Sequence, residues 1–187
     1  MREIGKRLGV SIDAVTYFMR KNELKRRSFS EINKIIFTRK PLSFKKKVFS
    51  KLNKELMAIG IMLYWGEGAK GGIVGRNNVV DLANSDPKMV KVFLSFLRKI
   101  YSVDEKKFRC LLYCYSNQNP KKLMKFWSDL TEIPLSQFTK PYVRKDFRLE
   151  GRKMIHGLIH IRYADKKLLI EIENMIDYYV SKYAPIA

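Results

Sequence analysis

Apolar and polar residues alternate along the chain in two different rhythms, and the change from one to the other marks out the elements. Residues 56–66 are almost continuously apolar and read as a buried helix. A glycine-rich turn follows, and 79–83 read as a short strand. In 87–101, Met89, Val92, Phe93, Phe96, Leu97 and Ile100 recur at the three-and-four spacing of one helix face. Residues 107–115 and 156–163 alternate with period two and read as strands, whereas 120–130 and 166–183 return to helical spacing. The predicted order is α-β-α-β-α-β-α, an α+β class, with room for one more strand near Ile73. Asn84-Ser85-Asp86-Pro87 reads as a helix N-cap with proline at the first helical position; ordering a metal-bound water is the other role open to Asp86.

The first residues follow a tighter pattern. Ile4, Leu8, Val10, Val15 and Met19 are interrupted by Gly9, and Ser11 stands where an N-cap belongs, so 12–22 read as a second short helix. Two short helices about a glycine turn predict a helix-turn-helix, in which Asp13, Thr16, Tyr17 and Arg20 project from the second helix toward a DNA groove. A plain helical hairpin is the alternative. Because the chain opens on the first helix of the pair, so small a unit buries too little to hold a core alone. From Glu23 to Lys54 the composition is that of a Lys-, Arg- and Ser-rich connector with Pro41 near its centre, either a solvated linker or a phosphate-tracking arm. The expected division is 1–27 helix-turn-helix, 28–54 basic linker and 55–187 folded domain.

Charge sharpens this picture. The 187 residues carry 38 Lys and Arg against 18 Asp and Glu, a net charge of +20 with a pI near 10.0. Residues 1–54 hold 16 basic and 4 acidic side chains, and the remainder hold 22 and 14. An excess of this size calls for a polyanion, either nucleic acid or an anionic membrane surface. The 46% apolar content excludes a disordered basic tail. No apolar run approaches the roughly twenty residues that cross a bilayer, and no leader pattern opens the chain. The expectation is a soluble, cytoplasmic, nucleoid-associated protein with double-stranded DNA as partner, no membrane and no small-molecule substrate. Two cysteines, Cys110 and Cys114, fit a reducing compartment better than a disulfide scaffold.

Each long strand has two unlike faces. Phe108, Cys110, Leu112 and Cys114 alternate with Arg109, Leu111, Tyr113 and Tyr115; Gly157, Ile159, Ile161 and Tyr163 alternate with His156, Leu158, His160 and Arg162. Arg109, Tyr113, His160 and Arg162 therefore suit a groove-facing sheet, or an ordinary solvated one. Cys110, Cys114, His156 and His160 do not form a zinc site, because residues four apart in a strand lie ~13 Å apart at ~3.3 Å per residue. Between the strands, 139–153 bring together Lys140, Arg144, Lys145, Arg148 and Arg152 with little periodicity, as a backbone-contacting or merely solvated loop.

Ala58-Ile-Gly-Ile-Met-Leu-Tyr-Trp-Gly-Glu-Gly68 places a carboxylate between glycines at the end of an apolar helix, where burial without a partner is costly and another backbone can approach; a C-terminal surface residue is the other reading of Glu67. This segment, with the elements behind it over about 55–183, resembles the LAGLIDADG homing endonucleases. The resemblance implies an αββαββα-like domain with a saddle-shaped antiparallel sheet. It also implies a homodimer through the 56–66 helices and Mg²⁺ or Mn²⁺ held by the Glu67 carboxylate beside the Gly66 carbonyl. A basic residue near the scissile phosphate aligns with Arg162, and Lys70, Arg76 and Asn77 fall where related proteins begin a groove-reading hairpin. The implied activity is metal-dependent cleavage of a near-palindromic DNA site. A related group of non-catalytic DNA-binding regulators joins similar modules in the opposite order and supplies the alternative.

Overall fold

The computed structural model describes residues 1–47, 50–69, 78–145 and 154–184. The chain divides into two units, Met1–Pro41 and Leu42–Ala187. The strand expected near Ile73 lies outside the described residues.

In the first unit, α1 (Arg2–Leu8) and α2 (Ile12–Lys21) flank Gly9, which takes the left-handed conformation at φ 66° and closes α1. Ser11 caps α2 by accepting a hydrogen bond from the Ala14 N–H at 3.1 Å. A side chain at Gly5 would drive its Cβ to 2.7 Å from the Val10 carbonyl oxygen, so the turn between the helices requires a glycine there. A third helix, α3 (Phe29–Arg39), occupies part of the segment read as linker. Ser28 and Glu31 form a reciprocal capping box at its start. Of the three helices only Gly5 and Val15 are buried, while Leu8, Phe18 and Phe29 are exposed.

The second unit is α+β. Its elements are α4 (Lys51–Glu67), β1 (Val80–Asn84), α5 (Pro87–Tyr101), β2 (Phe108–Tyr115), α6 (Pro120–Thr131), β3 (Tyr142–Arg144), β4 (Leu158–Tyr163) and α7 (Lys166–Tyr183). The sheet order is β1-β4-β2-β3. β4 pairs antiparallel with both β1 and β2, but β3 runs parallel to β2, so the sheet is mixed and not wholly antiparallel. Helices α4, α5, α6 and α7 pack against the strands. The inward strand positions (Val80, Leu82, Phe108, Cys110, Leu112, Ile159, Ile161 and Tyr163) are fully buried against them. Tyr64 of α4 stacks on Phe93 of α5 with ring centroids 5.9 Å apart, and Gly60 admits Phe96 where any Cβ would clash.

Helix α4 begins at Lys51, five residues before the expected start and inside the segment read as linker, and its burial also departs from expectation. Met57, Gly60, Ile61 and Tyr64 are buried, but Ile59, Met62 and Trp65 on its other side are exposed. It is a one-sided helix among the described residues, packed mainly against α5, α7 and β1. Residues 42–47, also read as linker, are bound to the second unit. Lys45 and Lys47 donate backbone hydrogen bonds to the Tyr101 and Ile100 carbonyls. The Ser43 hydroxyl donates to the Asp165 carboxylate, and Tyr163 Oη donates to the Ser43 carbonyl at 2.9 Å. No helix among the described residues is long and apolar enough to cross a membrane.

Candidate functional site

Alternation in β2 and β4 sends the polar positions to the sheet face opposite the buried one. Their burial patterns run strictly two by two, with Arg109, Leu111, Tyr113 and Tyr115 outward from β2 and Leu158, His160 and Arg162 outward from β4. Strand register then sets the rows. Asp81 of β1, Arg162 of β4 and Arg109 of β2 are consecutive cross-strand partners, and Ala83, His160 and Leu111 form the next row.

Asp81 organises this face. One carboxylate oxygen receives Arg162 Nε at 2.8 Å and the other meets His160 Nδ1 at 3.0 Å. The Asp81 side chain is only 13% exposed, against 38% for Arg162. Burial alone would push the Asp81 carboxyl up, but the hydrogen bonds and charges of His160 and Arg162 outweigh it and hold the group below the usual carboxylate range. An ionised Asp81 accepts only, so His160 donates through Nδ1. The Tyr113 ring packs between His160 and Tyr142, with centroids 4.9 Å and 5.0 Å away. Arg109 Nη1 donates to the Lys106 and Phe108 carbonyls at 2.8 and 2.6 Å, which ties its guanidinium to the start of β2. Lys140, Tyr142, Arg144 and Lys145 are exposed along the β3 edge.

The α4 end is a different locality. Glu67 closes the helix, and Gly68 and Ala69 then run beside β1, with Gly68 bridged to Leu82 and the Ala69 N–H bonded to the Asp81 carbonyl. Glu67 is exposed, the surface placement open to a helix-terminal glutamate between glycines; the described partner is Asn84 Nδ2 at 3.5 Å. Helix packing stops one turn short of the carboxylate, at Tyr64, whose hydroxyl donates to the Ala69 carbonyl and is pushed up to about 12 by burial. Arg162 does not meet Glu67. The two lie against Asp81 and Asn84, on opposite faces of β1 and about 10 Å apart along a strand rising ~3.3 Å per residue.

Glu67 and the Gly66 carbonyl are hard oxygen donors of the kind that Mg²⁺ and Mn²⁺ accept. One chain supplies too few of them, and among the described residues no three His, Cys, Asp or Glu side chains converge. The donor type fits such an ion, and the donor number requires ligands from elsewhere. Cys110 and Cys114 point into the core, away from His160, and burial pushes the Cys110 thiol up to about 12, so it stays protonated. Asp86 caps α5, receiving the Lys88 N–H at 2.8 Å.

In the first unit Asp13, Tyr17 and Arg20 are exposed on α2, while Thr16 is engaged locally, donating to the Ile12 carbonyl and accepting from Arg26 Nη2. Lys70, Arg76, Asn77, Arg148 and Arg152 lie outside the described residues. Sequence reasoning missed Asp81 and the contact of Asn84 with Glu67. Asp81 is isolated within an apolar strand, Val80-Asp-Leu-Ala-Asn84, and that was the available signal. Compared with protein-family models, curated proteins and solved structures, the chain finds no match in any of the three.

Proposed function

We propose that this chain binds double-stranded DNA sequence-specifically and, as a homodimer, cleaves it with Mg²⁺ or Mn²⁺ held at Glu67 in the manner of a LAGLIDADG homing endonuclease. The observation that carries the reading is the polar sheet face. On a chain of net charge +20 it displays Arg109, Arg162, His160 and Tyr113 in adjacent cross-strand rows. Positive groups fixed on a rigid sheet suit phosphate contact, and tyrosine and imidazole edges suit base contact. The exposed Asp13, Tyr17 and Arg20 of α2 supply a second set of groove-facing groups on the helix-turn-helix.

Support for dimerisation comes from the exposed side of α4. Ala58, Met62 and Trp65 line, with Tyr179, Val180 and Tyr183 of α7, an apolar cavity of about 280 Å³. Two copies meeting there would give a two-fold target. Glu67 and Gly66 from each chain would then hold the ion together with DNA oxygens; when bound, it stabilises negative charge developing at the scissile phosphodiester. The chain's own part is to present these oxygens at a rigid helix end and to hold the phosphate backbone with arginine.

A second reading, a non-catalytic DNA-binding regulator, draws on the exposure of Glu67 and its long hydrogen bond from Asn84. Selection of bound fragments from a random duplex pool tests the common ground of both. A near-palindromic consensus is expected, and recovery of no sequence above background would remove the proposal.

A further inference from the structure

Arg109 and Arg162 are direct cross-strand partners in β2 and β4, a placement that puts two cationic side chains on one face of the sheet and is unfavourable unless an anion offsets it. The described residues provide one carboxylate, Asp81, and it sits on the far side of Arg162, bonded to Nε and shared with His160. Each guanidinium is anchored at one end only. Asp81 takes Arg162 Nε, the Lys106 and Phe108 carbonyls take Arg109 Nη1, and among the described residues the remaining guanidinium nitrogens have no hydrogen-bond partner. Two fixed guanidiniums with spare donors and a net positive charge form a receptor for a single tetrahedral oxyanion.

Resting on the DNA-binding reading, we propose that Arg162 and Arg109 clamp one backbone phosphate and that Asp81, buttressed by His160, is the positioning residue that fixes Arg162 for it. Asp81 itself does not touch the phosphate, and its negative charge alone repels DNA. Its two effects, orientation and repulsion, therefore have opposite signs, which makes them separable.

The experiment measures binding of the full chain to a fluorescein-labelled 20-base-pair duplex by anisotropy, for the parent, Asp81→Ala, Asp81→Asn, Arg162→Ala and Arg162→Ala/Asp81→Ala. The clamp predicts that Asp81→Ala weakens binding about tenfold although the protein gains positive charge, and that in the Arg162→Ala background the same change leaves binding equal or about twofold tighter. Asp81→Asn keeps the side-chain shape if the alanine variant fails to fold, and it is expected to weaken binding as well. Tighter or unchanged binding by Asp81 variants of the parent overturns the proposal, as does equal weakening in both backgrounds. If the parent binds no duplex, the DNA reading fails separately. The clamp is then tested by NMR with inorganic phosphate, which is expected to shift the His160 ring signal saturably in the parent and not in Arg162→Ala; no shift in the parent overturns it.

Discussion

Gly60 sets how closely α4 approaches α5, and Gly60→Ala puts a number on that approach. A Cβ at this position would lie 2.1 Å from Cγ, 2.3 Å from Cδ2 and 2.6 Å from Cβ of Phe96. These atoms belong to the base of the ring, and Phe96 is fully buried between Phe93 and Tyr101, with centroids 6.0 and 5.3 Å away, so it cannot swing aside without disturbing both. Overpacking of this kind costs ~1–3 kcal/mol, and so deep a clash belongs at the upper end. Replacing glycine by alanine inside a helix returns about 1 kcal/mol of propensity. The net loss is about 2 kcal/mol, which for a unit of this size lowers Tm by roughly 4–8 °C. Thermal unfolding followed by circular dichroism, with Gly66→Ala as control, provides the measurement. A Cβ added at Gly66 would meet no atom within 4 Å, so that variant should melt at or slightly above the parent temperature. An unchanged or raised Tm for Gly60→Ala would refute the claim that α4 is seated on α5 by a glycine contact.

Further outcomes follow from the same structure. Asp165 caps α7 through the Lys167 and Leu168 N–H groups and accepts from Ser43, with Lys107 Nζ 3.6 Å away; burial pushes its carboxyl up, but these partners outweigh it and leave it depressed. A depressed folded value means that its stabilisation is present above the unfolded value of ~3.9 and is lost as pH falls through the folded one. Asp165→Asn should therefore flatten the loss of stability below about pH 4, and Asp165→Ala should cost about 2 kcal/mol at neutral pH in denaturant unfolding. If some eight phosphates are neutralised, the log–log salt dependence of duplex binding should have a slope of about −7; a slope near zero in anisotropy titrations would mean that the positive surface does not face DNA.

The elements most legible in the sequence were those whose apolar period is unbroken. Helices α5 and α7 and strand β2 fall within a residue of expectation because a single hydrophobic stripe meets a single layer. Helix α3 was lost inside a basic, weakly amphipathic stretch, although Ser28 and Glu31 carried the capping-box signal three residues apart. Strand β3 has three exposed residues at a sheet edge and therefore no buried period to read. The polar face of β2 and β4 was visible as alternation, but the Asp81–Arg162–Arg109 row was not. Cross-strand register is set by pairing among residues up to 83 apart, and no local pattern encodes it. Glu67 stands at a helix end as expected, but the burial of α4 itself was overestimated, since uniform apolarity does not reveal whether the second side of α4 is covered within one chain.

Under the proposed function, Glu67 serves DNA cleavage while the basic sheet face holds the duplex. Incubating supercoiled plasmid bearing a selected site with Mg²⁺ or Mn²⁺ and either the parent or Glu67→Gln tests it most directly, with duplex affinity measured in parallel. Nicked and linear products are expected from the parent and none from Glu67→Gln, with affinities within about threefold of each other; an intact plasmid with the parent protein, or equal cleavage by both, would contradict the claim.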